Sequence, residues 1–265
     1  MFDLSGMTAL VTGASSGIGR EFSRQLAMVG MNLVLVARKR TFLEELACEL
    51  STKHGVKTLV IAVDLSERDA TNMVKEAVGS AGRRIRLLVN NAACGRWGRF
   101  EGTSSQDYER MILLNNAAVV GLCQLFLPDL ASHTSSAVIN VSSPAALQPV
   151  PFMAVYAASK SFVHDFSQAL YGEWQARGIR VQTLIPGPTA TEFDAKAGAY
   201  ESALKTRGTA DEVVSAALAG LQDQRPLVTV ARGTYKQRLF AALFPAKFVI
   251  ATVARMFRPP AERMG

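Results

Sequence analysis

Six short apolar runs mark the chain, at residues 8–11, 32–36, 58–63, 86–89, 137–141 and 181–185. They are rich in Val, Ile and Leu and nearly continuous. That is the pattern of strands buried on both faces, not the alternation of a half-solvated sheet. A shorter run at 227–230 would close one edge. Longer segments with helical spacing lie between the runs, among them 19–28, 42–52 and 69–78. Repeated strand–helix–strand order predicts an α/β fold, a doubly wound parallel sheet of about seven strands with helices on both faces.

Composition narrows this picture. With 265 residues and 49% apolar content, the chain can bury one sizeable core. No repeat or low-complexity linker breaks it before about Ala231. Residues 1–230 are therefore expected to form one domain and 231–265 an extension. Cys48, Cys94 and Cys123 match no zinc or redox spacing. An odd, sparse count fits a reducing compartment, so a cytoplasmic location is expected. The start, Met1-Phe2-Asp3-Leu4, lacks a basic region followed by an apolar one, so no secretory signal is expected. No run of 18 uncharged apolar residues occurs, which argues against a spanning helix.

The net charge of +7 is unevenly placed: residues 231–265 carry seven bases and one acid, Glu262. The body is nearly neutral, which argues against a general nucleic-acid surface.

The first apolar run leads into Thr12-Gly13-Ala14-Ser15-Ser16-Gly17-Ile18-Gly19, and a helical pattern follows. Glycine tolerates positive φ and lets backbone N–H groups approach a pyrophosphate at a helix N-terminus. A glycine turn alone could be an ordinary loop. Directly after a first strand it points to dinucleotide binding. The second run ends in Arg38-Lys39-Arg40 with no acid. An acid there would accept the ribose 2′-OH of NAD, whereas Arg38 suits a 2′-phosphate. NADP(H) is thus preferred, with NAD(H) as the alternative.

A second centre follows the fifth run: Ser142-Ser143-Pro144, then Tyr156-Ala157-Ala158-Ser159-Lys160. Tyr156 and Lys160 are i and i+4 and share one helix face. A free phenol has a pKa near 10, and a nearby ammonium favours its ionised form. The pair alone is weak evidence. It gains weight from the glycine turn, because both would stand at the carboxyl edge of one parallel sheet.

With these motifs in this order, residues 4–230 closely resemble the short-chain dehydrogenase/reductase family. The resemblance implies a Rossmann-like fold and a chain-wide set of site residues. Gly13, Ser15, Ser16, Gly17, Ile18 and Gly19 would cradle the pyrophosphate, with Arg38 at the adenosine ribose. Asp64 and Leu65 would touch adenine, Asn91 and Ala92 would line the cofactor, and Pro186, Gly187, Thr189 and Thr191 would meet the nicotinamide carboxamide. Asn115, Ser143, Tyr156 and Lys160 would form the catalytic tetrad, with Tyr156 and Lys160 also touching the cofactor. Ser143 would bind a carbonyl oxygen, Tyr156 would donate the proton, Lys160 would lower the Tyr pKa, and Asn115 would position a relay water. Asn116 and Ser142 compete with Asn115 and Ser143 for those places. Ala93 and Ala146 stand where the family has Gly, and Pro144 biases Ser143 away from helical angles. A homodimer or homotetramer is expected. No metal is expected, since His54, His133 and His164 pair with no ligand at metal spacing.

The resemblance also implies a carbonyl or alcohol compound as substrate. Residues 191–208 are expected to form a partly apolar lid, which suggests a hydrophobic or acyl-like substrate. The extension mixes apolar residues with bases and is broken by Pro245. It would either lie on an anionic membrane, or pack over the substrate cleft or another subunit. A non-catalytic NADP(H) sensor on the same fold is the rival class. The intact tetrad speaks against it, since a sensor has no need of a proton donor.

Overall fold

The computed structural model describes residues 5–189, 193, 197–198, 208–231 and 233–259. The chain alternates β1 (Thr8–Thr12), α1 (Gly17–Met28), β2 (Asn32–Ala37), α2 (Arg40–His54), β3 (Thr58–Ala62), α3 (Ala70–Ser80) and β4 (Ile85–Asn90). It continues through α4 (Ser105–Ile112), α5 (Ala118–Ala131), β5 (Ser136–Val141), α6 (Ala154–Trp174) and β6 (Ile179–Ile185). It then adds α7 (Ala210–Gln222), β7 (Leu227–Thr229), α8 (Thr234–Leu243) and α9 (Ala246–Phe257).

All seven strands are parallel, in the order β3-β2-β1-β4-β5-β6-β7. Val11 of β1 stands beside Leu35 of β2 on one side and Val89 of β4 on the other. Strand order reverses between β1 and β4, which opens a crevice at their carboxyl ends.

Side chains alternate across the sheet. Ala9, Val11, Leu33 and Leu35 face Phe22 and Leu26 of α1, Leu46 of α2 and Val214 of α7. Leu10, Val34 and Leu88 face the opposite way, toward Val74 of α3, Phe126 of α5 and Val163 of α6. Each fully buried Leu or Phe side chain contributes roughly 1.5–3 kcal/mol.

Within the continuous helical run Ser105–Ala131, an 18-residue window has a mean hydropathy of 1.7, long and apolar enough to cross a membrane by composition. The run's Leu122, Cys123, Phe126 and Leu130 are instead packed in the core beneath the sheet, so it is a core helix.

Candidate active site

The glycine turn occupies the crevice between β1 and β4. Gly13 and Gly17 adopt positive φ, 66° and 52°. A Cβ on Gly13 would lie 2.7 Å from Asn91 Nδ2, and one on Gly19 would collide with the Gly13 carbonyl oxygen. The turn therefore closes only with glycine at both places. Thr12 locks it to β4: its Oγ1 donates to Val89 O (3.2 Å) and accepts from Asn91 N (2.9 Å) and Ala92 N (3.0 Å). Asn91 Nδ2 donates back to Thr12 O (2.9 Å). Thr12 is thus a site residue whose sequence signal is only its place before Gly13.

Ser16, with an extended backbone, precedes α1, whose first turn has no acid and no side-chain cap. Ser15, Ser16, Gly17 and Ile18 are half-buried around that N-terminus. Such an end favours an anion.

At the end of β2, Arg38 and Lys39 lead into α2, whose first turn holds no acid. Arg38 Nη1 lies 3.9 Å from Asp64 Oδ2, and the Arg38 side chain is largely exposed. Lys39 Nζ sits 5.1 Å over the Phe42 ring. Burial pushes the Asp64 carboxyl up. Hydrogen bonds from Ser66 N (3.0 Å) and Ser66 Oγ (2.7 Å), with the Arg38 and Arg110 guanidiniums, outweigh this and hold it below its ordinary value. Leu65 beside it is buried. The donor set fits a dinucleotide: glycine turn, acid-free helix start, and cations instead of a carboxylate after β2.

The second half of the site is carried by β5 and α6. Ser143 follows β5 with an extended backbone (φ −159°), as Pro144 after it favours. Its Oγ accepts from Ala145 N at 3.2 Å. Ser142 points the other way, buried, and donates to Lys160 O (2.9 Å). The strand's alternation thus separates the two serines, leaving Ser143 on the cleft side.

Tyr156 and Lys160 lie one turn apart at the start of α6, both buried. Lys160 is 3% exposed, and its Nζ donates to Val141 O at 2.8 Å. Burial pushes the Lys160 ammonium down to about 8, against a smaller opposing effect from Cys94. The Tyr156 ring tilts against Phe193, centroids 5.4 Å apart. Gly95 lies between them: a Cβ there would stand 3.2 Å from Tyr156 Cδ2 and 3.0 Å from Phe193 Cζ.

Asn115 sits in a π turn, Leu113–Ala117, between α4 and α5. Such turns recur at functional sites. Its side chain is 1% exposed. Oδ1 accepts from Cys94 N (3.0 Å), and Nδ2 donates to Cys94 O (2.9 Å) and Ser159 Oγ (2.9 Å). Asn116 instead donates to Ser159 O (2.8 Å). Asn115 therefore braces the loop that packs on Tyr156. Ala93 and Ala146 both fit without positive φ, since Phe152 and Gln224 are the only such non-glycine positions among the described residues.

Pro186 is buried after β6, and Thr189 Oγ1 donates to Gly187 O at 2.8 Å. Thr191 lies outside the described residues, as does most of the segment 191–208 expected to form a lid. Within that segment, Ala197 O accepts from Trp97 N at 2.9 Å.

The extension reaches this site. Gln237 Nε2 of α8 donates to Pro144 O (2.9 Å). Val249 and Val253 of α9 pack with Val150 and Ala157. Trp97 Nε1 donates to Phe257 O at 2.7 Å, and the two rings stand 5.5 Å apart. The inner face of the extension is thus the wall beside Ser143 and Tyr156. Phe152, at φ 65°, accepts from Gly98 N and belongs to the same wall. Only tertiary contacts bring Trp97, Phe193 and Phe257 to the site, so no local sequence pattern marks them.

A cavity of about 260 Å³ lies at the far edge of the sheet, lined by Thr134, Arg180, Gln182 and Arg225 among others. It shares no residue with this constellation. Among the described residues no cluster of His, Cys, Asp or Glu could hold a metal.

Fold and site together define a dinucleotide-binding α/β protein with a Ser–Tyr–Lys group beside the cofactor crevice. The family model of the short chain dehydrogenases matches residues 7–202, so the chain belongs to that family of oxidoreductases. It is 35% identical over 192 residues to the human very-long-chain 3-oxoacyl-CoA reductase, a match covering 71% of this chain and 61% of that protein. The match thus spans about three fifths of the curated relative. A short-chain dehydrogenase from Sphingobium yanoikuyae, solved in complex with NADPH, superposes with a TM-score of 0.81 at 32% identity, covering 89% of this chain and 93% of that one. The bulky-bulky ketone specific alcohol dehydrogenase from Comamonas testosteroni gives 0.77 at 29% identity, covering 89% and 92%.

Proposed function

We propose that this protein is an NADP(H)-dependent reductase that interconverts a ketone or aldehyde and its alcohol, on a hydrophobic, acyl-like substrate. The placement of Ser143, Tyr156 and Lys160 beside the glycine turn carries this proposal. When bound, the nicotinamide cofactor supplies the hydride.

The chain's own residues do the rest. Gly13 to Gly19 and Asn91 hold the dinucleotide, and Arg38 pairs with its 2′-phosphate. Ser143 Oγ hydrogen-bonds the carbonyl oxygen. Tyr156 gives that oxygen its proton, or takes it in the reverse direction. The buried Lys160 ammonium favours the ionised phenol, so proton transfer can run near neutral pH. Asn115 is a positioning residue, fixing Cys94 and hence the loop against Tyr156. The wall of Trp97, Phe152, Phe193 and Phe257 suits an apolar substituent. The names of the human and Comamonas relatives, an oxoacyl thioester reductase and a bulky-ketone enzyme, agree with that wall.

The test is a panel of 3-oxoacyl thioesters of rising chain length and aryl ketones, with NADPH or NADH, on wild type and Tyr156→Phe. Wild type should favour NADPH and longer chains, and Tyr156→Phe should lose at least ~100-fold in kcat/KM. Equal rates for the two proteins would overturn the proposal.

A further inference from the structure

Helices α8 and α9 have two unlike faces. The inner face packs on the Pro144 turn and on α6. On the outer face Tyr235, Leu239 and Leu243 form an i, i+4, i+8 stripe, with Tyr235 79% and Leu243 69% exposed. Phe244 and Phe248, also exposed, carry the stripe across Pro245, their rings 5.5 Å apart. A run of large apolar side chains open to water marks an interaction surface.

Charge identifies the partner. Lys236, Arg238 and Lys247 are exposed beside this stripe, and no Asp or Glu occurs from Ala231 until Glu262. Apolar groups edged by cations match a bilayer with anionic headgroups. Rings and aliphatic chains enter the acyl boundary, while long basic side chains reach back to the phosphates. A second copy fits poorly, since a two-fold contact would set bases against bases with no acid between them. Neither helix can span. α8 has 10 residues and α9 has 12, whereas a span needs about 20.

We propose that α8 and α9 dock the protein flat on an anionic lipid bilayer. The inner faces of the same helices form the wall beside Ser143 and Tyr156, so docking brings the substrate cleft to the membrane surface. An apolar substrate then passes from lipid to cleft along one pair of helices. Docking itself does not depend on the reductase proposal. A catalytically silent protein would still bind.

The experiment is co-sedimentation of the full chain with vesicles of phosphatidylcholine, alone or with phosphatidylserine. Two variants accompany it, Leu243→Glu/Phe244→Glu and Lys236→Glu/Lys247→Glu, each checked by thermal unfolding. Wild type should pellet with the phosphatidylserine vesicles, less so at high salt. Each folded variant should lose at least about tenfold in binding. Wild type remaining in the supernatant, or a folded Leu243→Glu/Phe244→Glu variant pelleting like wild type, overturns the proposal. So does a Leu243→Glu/Phe244→Glu variant that splits an oligomer in sedimentation velocity while wild type ignores vesicles. That result would assign the face to a second copy.

Discussion

Lys160 Nζ donates a 2.8 Å hydrogen bond to the carbonyl oxygen of Val141, the last residue of β5. A single neutral carbonyl is poor compensation for a buried ammonium. Burial accordingly holds the group near 8 instead of 10.5. A folded pKa below the unfolded value means the unfolded chain binds more protons between about pH 8 and 10.5. Stability should therefore rise with pH across that window. Below it both states are charged and the cost, about 3 kcal/mol by the size of the shift, is fully present. Lys160→Met removes the cost along with the Val141 bond. Its urea midpoint should equal or exceed that of wild type at pH 7, and the difference should shrink toward pH 10.5. A difference independent of pH would show that the ammonium is not its source.

Gly19→Ala sets helix propensity against geometry. Alanine in a helix is worth about 1 kcal/mol over glycine, so propensity alone predicts stabilisation. The added Cβ would instead strike the Gly13 carbonyl, a backbone atom that moves only if the whole turn shifts. We expect a net loss of roughly 1–3 kcal/mol and weak quenching of protein fluorescence by NADPH. A variant as stable as wild type that binds NADPH normally would show that the turn accommodates a side chain.

Arg38 should set cofactor choice. It is held to Asp64 only at 3.9 Å and is largely exposed, so it can turn to a 2′-phosphate at little cost. A charge-assisted contact of this kind is worth about 2 kcal/mol. Arg38→Gln should weaken NADPH binding by roughly 30-fold and leave NADH nearly unchanged, as read by fluorescence titration. Equal losses for both cofactors would mean that Arg38 does not read the phosphate.

The sheet was legible because parallel strands buried on both faces read as unbroken apolar runs. The run at 32–36 became Asn32–Ala37 and that at 137–141 became Ser136–Val141. The glycine turn and the Tyr156–Lys160 spacing are local patterns, and local geometry suffices to read them. Alternation on a strand narrowed Ser142 and Ser143 to one, but the partner that decides, the Lys160 carbonyl, lies on another element. The π turn at Asn115 leaves no local pattern either. The partner of Asn115 there, Cys94, lies 21 residues away. The covering of the site by α9 was the least legible feature, because an apolar basic helix reads alike whether its inner face meets protein or lipid.

Trp97 is where that covering is fastened. Its Nε1 donates to Phe257 O at the end of α9, its ring packs on Phe257, and its backbone N–H holds Ala197 of the segment 191–208. Trp97→Phe keeps an aromatic ring and the backbone bond but removes the indole donor, leaving the Phe257 carbonyl without it. The expected cost is about 1 kcal/mol. It should fall locally: α9 is joined to the rest by the small Val150–Ala157–Val249–Val253 cluster and not by the sheet core, so it can open without global unfolding. Amide hydrogen exchange should speed up across residues 246–257 and stay unchanged in β1, β4 and β5. Faster exchange throughout the sheet would mean instead that α9 and the core unfold as one unit.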